Sequence, residues 1–440
     1  MPISPARIAA FDILLRVGQQ DAFASELLHS DRLEKLSAAD RGLTTEIVMG
    51  VLRWRSRLDT AILSFAQRPV SKLDVEVLTA LRIATYQLQY LDRIPAHAAI
   101  SDSVDLVKRA HKRSAAPFVN AVLRKIAANN APTTVPRQDL TSLADELAHP
   151  AWMVDRWIAK FGAEYAALIC SHDQHVPPLT LRIDNANAEE ELKRDGIELS
   201  AGALLSGARI VTGGDLFKAK AVLEGRVFIQ DEASQLVAAL VGNGSRLLDC
   251  CAAPGGKTAA LAARNPTAEI IAAELHAHRV ELLRKRVHSP TVRVIQADAL
   301  NLPTTGTFDR VLADVPCSGT GTLARNPEIK WRLKLDDLVD LHARQVAILK
   351  AALTHLAPGG RAVYSTCSLE REENELVVEE SLRDAPEYRV LDCREELEHL
   401  RSNGELVWED LDSLLSGKFM RTIPGLHPCD GFFAAVIERQ

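Results

Sequence analysis

The stretch Arg246-Leu247-Leu248-Asp249-Cys250-Cys251-Ala252-Ala253-Pro254-Gly255-Gly256-Lys257-Thr258 decides how the chain is read. Arg246 to Cys250 has the apolar run of a buried strand. Pro254, Gly255 and Gly256 break any regular element. Lys257 to Arg264 consists of strong helix formers and stops before Asn265-Pro266. A strand that feeds a helix through glycines lets a ligand approach the backbone. The helix N-terminus then offers it free N–H groups. Two familiar nucleotide loops are excluded. A P-loop needs a glycine ahead of Gly256-Lys257-Thr258, but Cys251 and Ala252 occupy the positions six and five before the lysine. A GxGxxG fingerprint is absent.

Outward from this loop, strand and helix alternate from about residue 223 to the end, as in a doubly wound Rossmann-like α/β domain over 223–440. Strands are expected at 227–229, 246–250, 269–273, 292–296, 308–313, 361–366 and 432–438, the last closing the sheet. Helices are expected at 232–241, 257–264, 277–287 and 338–356, the last ended by Pro358-Gly359-Gly360. Acids stand at three successive strand ends: Glu274, Asp298 and Asp314. Glu274 lies 18 residues past Gly256, near the roughly 20-residue offset of an acid that grips a ribose diol. The strand carboxyl ends of an open α/β sheet face one crevice, so these acids and the loop are expected to line one pocket. With both nucleotide loops excluded, the pattern points to the S-adenosyl-L-methionine site of a class I methyltransferase.

Two of the seven cysteines fall just past strand ends. Cys317 lies in Asp314-Val315-Pro316-Cys317-Ser318-Gly319-Thr320-Gly321, and Cys367 in Tyr364-Ser365-Thr366-Cys367-Ser368. Buried packing suits Cys170, Cys250, Cys393 and Cys429, which lack polar turn context. It does not suit Cys317 and Cys367, which sit among hydroxyls and loop residues. A thiol beside a methyl donor has a specific use. Carbon 5 of cytosine is a poor nucleophile until a thiolate adds to carbon 6. Asp314 is placed to assist at N3 of such a base, and Lys257 to hold its position-2 carbonyl or merely to cap the loop.

Residues 1–130 read as an all-helical bundle. Val77, Leu81, Ala84, Leu88 and Leu91 form an apolar stripe, and Phe118, Val122 and Ile126 another. Pro69 and Pro95 mark helix breaks. Ile8 to Arg16 suits an amphipathic helix better than a signal peptide. The first 140 residues carry 19 Lys and Arg against 14 Asp and Glu, and the rest of the chain is acidic. The clusters Arg53-Trp54-Arg55-Ser56-Arg57 and Lys108-Arg109-Ala110-His111-Lys112-Arg113 fit either solvated helix faces or phosphate contacts. Residues 131–148 read as a turn-rich linker, and 149–222 as a small mixed α/β module. In that module Trp152, Trp157 and Phe161 are expected in a core, 179–183 as a strand and 188–194 as a helix. His172 and His175 have metal-ligand spacing without a second ligand pair, and are read as loop histidines.

The first 130 residues resemble the NusB RNA-binding domain. The matching pieces are Asp40-Arg41, Gly50 to Arg53, Leu81-Arg82, Tyr86 to Leu88, Pro95, Ala98 to Ile100 and Phe118 to Arg124. Further on, CAAPGGKT, DVPCSGTG and TCS follow in that order. They are joined by Gln230 to Gln235, Asn326-Pro327-Glu328-Ile329-Lys330-Trp331, Glu373-Asn374 and Asp430 to Phe433. With these motifs the chain resembles the RNA 5-methylcytosine methyltransferases of the NOL1/NOP2/Sun family, in particular bacterial members acting on 16S ribosomal RNA. The resemblance implies Cys367 as covalent nucleophile and Cys317 as the residue of product release. It implies Cys251, Ala252, Ala253, Pro254, Gly255, Gly256, Lys257, Glu274, Arg279, Asp298 and Asp314 as the S-adenosyl-L-methionine site. DNA cytosine methyltransferases use the PC-motif cysteine instead, so RNA and not DNA is the expected partner. Glu274 stands where the family usually has Asp, and Asn326 where the bacterial enzymes carry His or a basic residue.

Length and composition agree with a soluble globular protein of two to three domains. Hydrophobic residues make up 47% and charged residues 25% of 440. No apolar run is long enough to cross a membrane. Seven cysteines without CxxC spacing suit a reducing cytoplasm. A monomer without metal is expected. Two other functions stay open: the same chemistry on transfer RNA, and an inactive RNA-binding assembly factor.

Overall fold

The computed structural model describes residues 3–20, 22–30, 33, 35–129, 143–184 and 186–440. The expected linker lies outside the described residues up to position 142, and its last part holds the short helix Leu143–Glu146. The chain forms two compact units. One comprises Met1–Val176 with Leu323–Arg332, the other Pro177–Thr322 with Leu333–Gln440.

The first unit is helical, as its periodicity predicts. Val75–Tyr90 carries the first apolar stripe, with Val77, Leu81 and Ala84 buried in the bundle core and Leu88 and Leu91 at its margin. Ala116–Ala128 carries the second, with Val122 and Ile126 buried and Phe118 packed beside them. Pro95 caps the helix Ala96–Arg109. Trp157 is fully buried on the helix Ala151–Phe161. His172 belongs to the last turn of Ala163–Asp173 rather than to a loop, and no metal-binding cluster occurs among the described residues.

The basic cluster at Arg53 is not a solvated helix face. Arg53 is buried and its Nη2 donates to Ala324 O at 3.0 Å. Burial pushes Arg55 down to about 10, and its guanidinium sits 5.6 Å from the ring centre of Trp331. The motif Asn326 to Trp331 is the other half of this packing. Lys330 Nζ donates to Arg53 O at 3.1 Å and Ala148 O at 3.2 Å, Trp331 Nε1 to Leu52 O at 2.6 Å, and Ser25 Oγ to Asn326 Oδ1 at 3.3 Å. In the second cluster Lys108 pairs with Asp105, Arg109 with Asp12 and Lys112 with Asp74.

The second unit holds two sheets. The smaller is antiparallel, in the order β2-β3-β1-β4, with β1 Thr180–Ile183, β2 Glu198–Ala201, β3 Ala208–Gly213 and β4 Val227–Ile229. The strand expected at 227–229 therefore pairs with β1 and lies outside the doubly wound sheet.

The larger sheet is the expected α/β core. Its parallel strands are β5 Arg246–Asp249, β6 Glu269–Glu274, β7 Val292–Gln296, β8 Phe308–Asp314 and β9 Leu356–Thr366. Their order, β9-β8-β5-β6-β7, reverses at β5, which opens a crevice at the carboxyl ends there. Glu232–Val241 and Gly256–Arg264 pack over one face, and Asp337–Thr354 and Glu375–Leu382 over the other. Two expectations need correction. Pro358, Gly359 and Gly360 do not end the long helix, which stops at Thr354, but lie within β9. The last strand does not close the sheet. It is β13 Phe433–Arg439, antiparallel to β9, with β10 Tyr388–Val390, β11 Leu415–Ser416 and β12 Phe419–Arg421 beyond it.

Arg182 on β1 fastens the small sheet to the glycine loop. Its Nη1 donates to Gln230 Oε1 at 2.7 Å and Gly256 O at 2.6 Å, and its guanidinium lies 4.5 Å from the centre of the Phe228 ring. Arg182→Ala removes charge-assisted bonds from a buried site and is expected to lower stability by about 2 kcal/mol. Urea unfolding followed by circular dichroism measures it, and an unchanged midpoint would contradict this role.

Candidate active site

The parallel strands bring the expected residues to one edge of the sheet. Cys251, Ala253, Glu274, Arg279, Asp298, Asp314, Cys317 and Cys367 line a single cavity there. Ala252, Pro254, Gly255, Gly256 and Lys257 are not on its wall but shape the loop. Ala252 N donates to Ala273 O at 2.9 Å, which ties the loop to β6. Gly255 has φ +105°, a conformation that favours glycine, and a Cβ there would meet Leu283 and Val287 at 2.9 Å. The helix Gly256–Arg264 starts directly after it.

The acids differ in their surroundings. Glu274 Oε1 accepts from His276 N at 2.9 Å, and its Oε2 lies 3.6 Å from Arg279 Nη1. Arg279 also donates to Ala253 O at 3.0 Å, so it braces the loop against β6. Asp298 Oδ1 accepts from Leu300 N at 3.0 Å. Asp314 Oδ2 accepts from Lys257 Nζ at 2.7 Å, and Asp314 Oδ1 from Ser365 Oγ at 2.8 Å. Burial disfavours the Lys257 charge, but the facing Asp314 outweighs it and holds the ammonium above its usual range.

The two loop cysteines, 50 residues apart in sequence, meet with Sγ atoms 3.3 Å from one another. Gly321 N donates to Cys367 O at 2.9 Å and locks the two loops together. The Cys317 thiol is pushed well up, first by its hydrogen bond to Cys367 and then by burial. Cys250 and Cys251 are also pushed up, by burial, so neither is a thiolate at neutral pH.

The same cavity is lined by residues that sequence reasoning missed: Leu275, His276, Pro316, Arg344 and Ile348 among them. Arg344 and Ile348 are one turn apart on Asp337–Thr354, so they share a face. That i, i+4 spacing is the only signal the sequence carries for them. The lining suits S-adenosyl-L-methionine. Glu274 and Asp298 are acceptors for a diol, Leu275, Pro316 and Ile348 give apolar surface for a ring, and the acidic setting favours a sulfonium cation.

Asp249 lies just behind the loop. It is buried and its Oδ2 accepts from Thr258 Oγ1 at 2.7 Å, while Oδ1 has no hydrogen-bond partner among the described residues. Burial pushes its carboxyl up to about 7, against the pull of Thr258, and Asp314 adds to the rise.

Comparison with known proteins bears on the whole chain. Residues 238–438 match the family model described as 16S rRNA methyltransferase RsmB/F. Residues 4–128 match the NusB family, and 149–212 the ferredoxin-like domain of RsmF/B-like methyltransferases. The chain is 33% identical to the probable ribosomal RNA small subunit methyltransferase B of Bacillus subtilis (strain 168), covering 88% of this chain and 90% of the relative. It is also 33% identical to the ribosomal RNA small subunit methyltransferase B of Pseudomonas syringae pv. tomato, covering 88% of each. Among solved structures, a methyltransferase homolog protein from Pyrococcus horikoshii aligns with a TM-score of 0.55 at 26% identity, over 68% of this chain and 98% of that one.

The raised Asp249 carboxyl makes stability depend on pH. Its folded pKa lies above the ordinary value near 3.9, so its contribution is complete below pH ~4 and is lost as pH rises through about 7. Relative to Asp249→Asn, the native chain should lose about 1.4 kcal/mol per pH unit between pH 5 and 7. Unfolding free energies of both chains at pH 5, 6, 7 and 8 test this, and a constant gap would show that Asp249 does not titrate in that window.

Proposed function

The chain belongs to the RsmB/F family of S-adenosyl-L-methionine-dependent ribosomal RNA methyltransferases, and from that premise we propose that it forms 5-methylcytosine in 16S ribosomal RNA through a covalent bond from Cys367. One observation carries this reading: two thiols in contact at 3.3 Å, beside the Lys257–Asp314 pair, in a cavity lined by acids at successive strand ends. A methyltransferase acting on an already nucleophilic atom needs neither thiol.

Bound S-adenosyl-L-methionine supplies an electrophilic methyl group. The Cys367 thiolate adds to carbon 6 of cytosine, and the C5–C6 π electrons become available at carbon 5. Lys257 and Asp314 hold a proton between them. Asp314 passes that proton toward N3 while a separate N–H of Lys257 donates to the position-2 carbonyl, and together they draw charge out of the ring as sulfur adds; the N3 proton returns to the pair when Cys367 leaves. Carbon 5 takes the methyl as the sulfonium S–CH3 bond breaks, and the donor's sulfur departs as a neutral thioether. Cys317, its own proton given up to solvent, then removes the carbon-5 proton as a thiolate, the C5–C6 double bond re-forms, and the C6–S bond breaks to release Cys367 as a thiolate. Cys317 holds its own proton tightly while it is hydrogen-bonded to Cys367. Once Cys367 is bonded to carbon that partner is gone, and Cys317 gives up its proton more readily. The two sulfurs thus take turns.

The matched NusB region supports a role for residues 4–128 in docking RNA. Free cysteines throughout suit a reducing cytoplasm, and no described helix is long and apolar enough to cross a membrane.

Cys367→Ala is expected to abolish methyl transfer, with activity reduced at least 10³-fold in the manner of a lost covalent nucleophile. Cys317→Ala should accumulate an RNA–protein adduct that survives denaturing electrophoresis. Normal turnover by Cys367→Ala would sink the mechanism. Bisulfite sequencing of total RNA from a deletion strain locates the substrate: loss of one 16S cytosine signal is expected, and loss in transfer RNA instead would overturn the substrate assignment.

A further inference from the structure

Behind the two sulfurs lies a buried carboxylate that the chemistry above does not use. Glu373 is fully buried, in the turn Arg371–Glu373. No Lys, Arg or His forms an ion pair with it among the described residues. Neutral donors surround it instead. Its Oε1 accepts from Ser318 N at 2.8 Å and from Gln345 Nε2 at 2.9 Å. Its Oε2 accepts from Ser318 Oγ and from Ser368 Oγ. Gln345 Nε2 also donates to Pro316 O at 2.9 Å.

These donors have a pattern. Ser318 follows Cys317, and Ser368 follows Cys367. Glu373 therefore grips the two cysteine loops at equivalent positions, one residue past each sulfur. The two serine hydroxyls also meet at 3.1 Å, and Leu369 N donates to Thr320 Oγ1 at 2.9 Å. Glu373 is itself held in place, because Tyr364 OH donates to its carbonyl at 2.6 Å. Asn374 Nδ2 donates to Ser368 O at 2.8 Å and continues the same network.

A buried carboxylate without a cation is costly. An apolar residue would fill the space at less cost and leave the serines unbound. We propose that Glu373 is a positioning residue for the thiol chemistry, fixing Cys317 and Cys367 in contact by binding both loops, an inference that rests on the two-thiol reading above. It touches neither RNA nor cofactor. Its effect is on the relative placement of two reacting atoms, where a displacement near 1 Å costs about 10²-fold in rate.

The test compares Glu373→Ala and Glu373→Gln in the full chain, with methyl transfer to 16S RNA and S-adenosyl-L-methionine binding by calorimetry as separate readouts. Glutamine keeps an acceptor for Ser318 N and Gln345, and its amide can donate to hydroxyls that rotate to accept. Glu373→Ala is expected to lower kcat about 100-fold while the S-adenosyl-L-methionine Kd stays within about twofold, and Glu373→Gln to recover most of the rate. Wild-type kcat for the alanine variant, a glutamine variant no better than alanine, or an equal loss in Kd and kcat would each overturn the proposal. If Glu373→Ala fails to fold, Ser318→Ala combined with Ser368→Ala removes both hydroxyl bonds to Oε2, and with them the hold of the Glu373 carboxylate on the Cys367 loop, and unchanged kcat there overturns it as well. Cys367→Ala is run alongside. Its inactivity beside an unaffected Glu373→Ala rejects the positioning role alone, whereas its normal turnover rejects the two-thiol reading and this proposal with it.

Discussion

β8 and β9 run parallel, with Asp314 directly opposite Ser365, and the rest of the site follows from that register. Val315 N reaches Ser365 O at 3.1 Å, so pairing continues to the ends of both strands. The chain leaves β8 into the loop of Cys317 and leaves β9 into the loop of Cys367. Cys317 lies three residues past Asp314 and Cys367 two past Ser365, and these short exits from the paired ends bring the two sulfurs together. A slip of one residue in a strand turns every side chain to the other face. It would turn Asp314 away from Lys257 and separate the thiols. The pairing is secured from both faces, since Val311, Ala313, Ala362 and Tyr364 pack in one core layer and Leu312 and Val363 in the other.

The close contact of the loops also depends on backbone. Gly321 follows Cys317 in its loop, and a Cβ at that position would stand 2.1 Å from Gly431 O. Gly431 N in turn donates to Gly321 O at 2.7 Å. Any side chain there would force apart the loop that Gly321 N fastens to Cys367 O. Here glycine is required for a close approach and not for a turn. The same residues that read as a motif in sequence are thus fixed by steric demands around the sulfurs.

Features set by local sequence were legible. The glycine loop, the strand-end acids and the two cysteines each follow a strand whose apolar run can be read directly, and the crevice follows from the parallel topology. What was not legible depended on pairing or packing across long stretches of chain. Val227–Ile229 looks like any short strand, and only its partner, Leu181 and its neighbours, assigns it to the antiparallel sheet. Pro358-Gly359-Gly360 reads as a helix stop, yet β9 accommodates it near its start, before the continuous pairing from Arg361 onward. Arg53 looked like a surface cation. Its burial depends on Lys330 and Trp331, nearly 280 residues away. Glu373 was visible within a motif, but its task rests on two serines at separate sites.

Charge and position together set Cys250 and Cys251 apart from Cys367. Cys250 and Cys251 belong to the loop, where β5 and the neighbouring acids Asp249, Asp314 and Glu274 surround them. Burial and negative charge both hold their protons, so neither thiol is available to attack a base. Cys367 stands beyond the strand ends. The ammonium of Lys257 is near enough to interact with its sulfur, and Asp314 is already neutralised by that same ammonium. Of the positive groups at the crevice, Arg279 braces the glycine loop and Arg344 acts on Cys251, whereas the Lys257 ammonium pairs with Asp314 and also acts on the Cys367 sulfur.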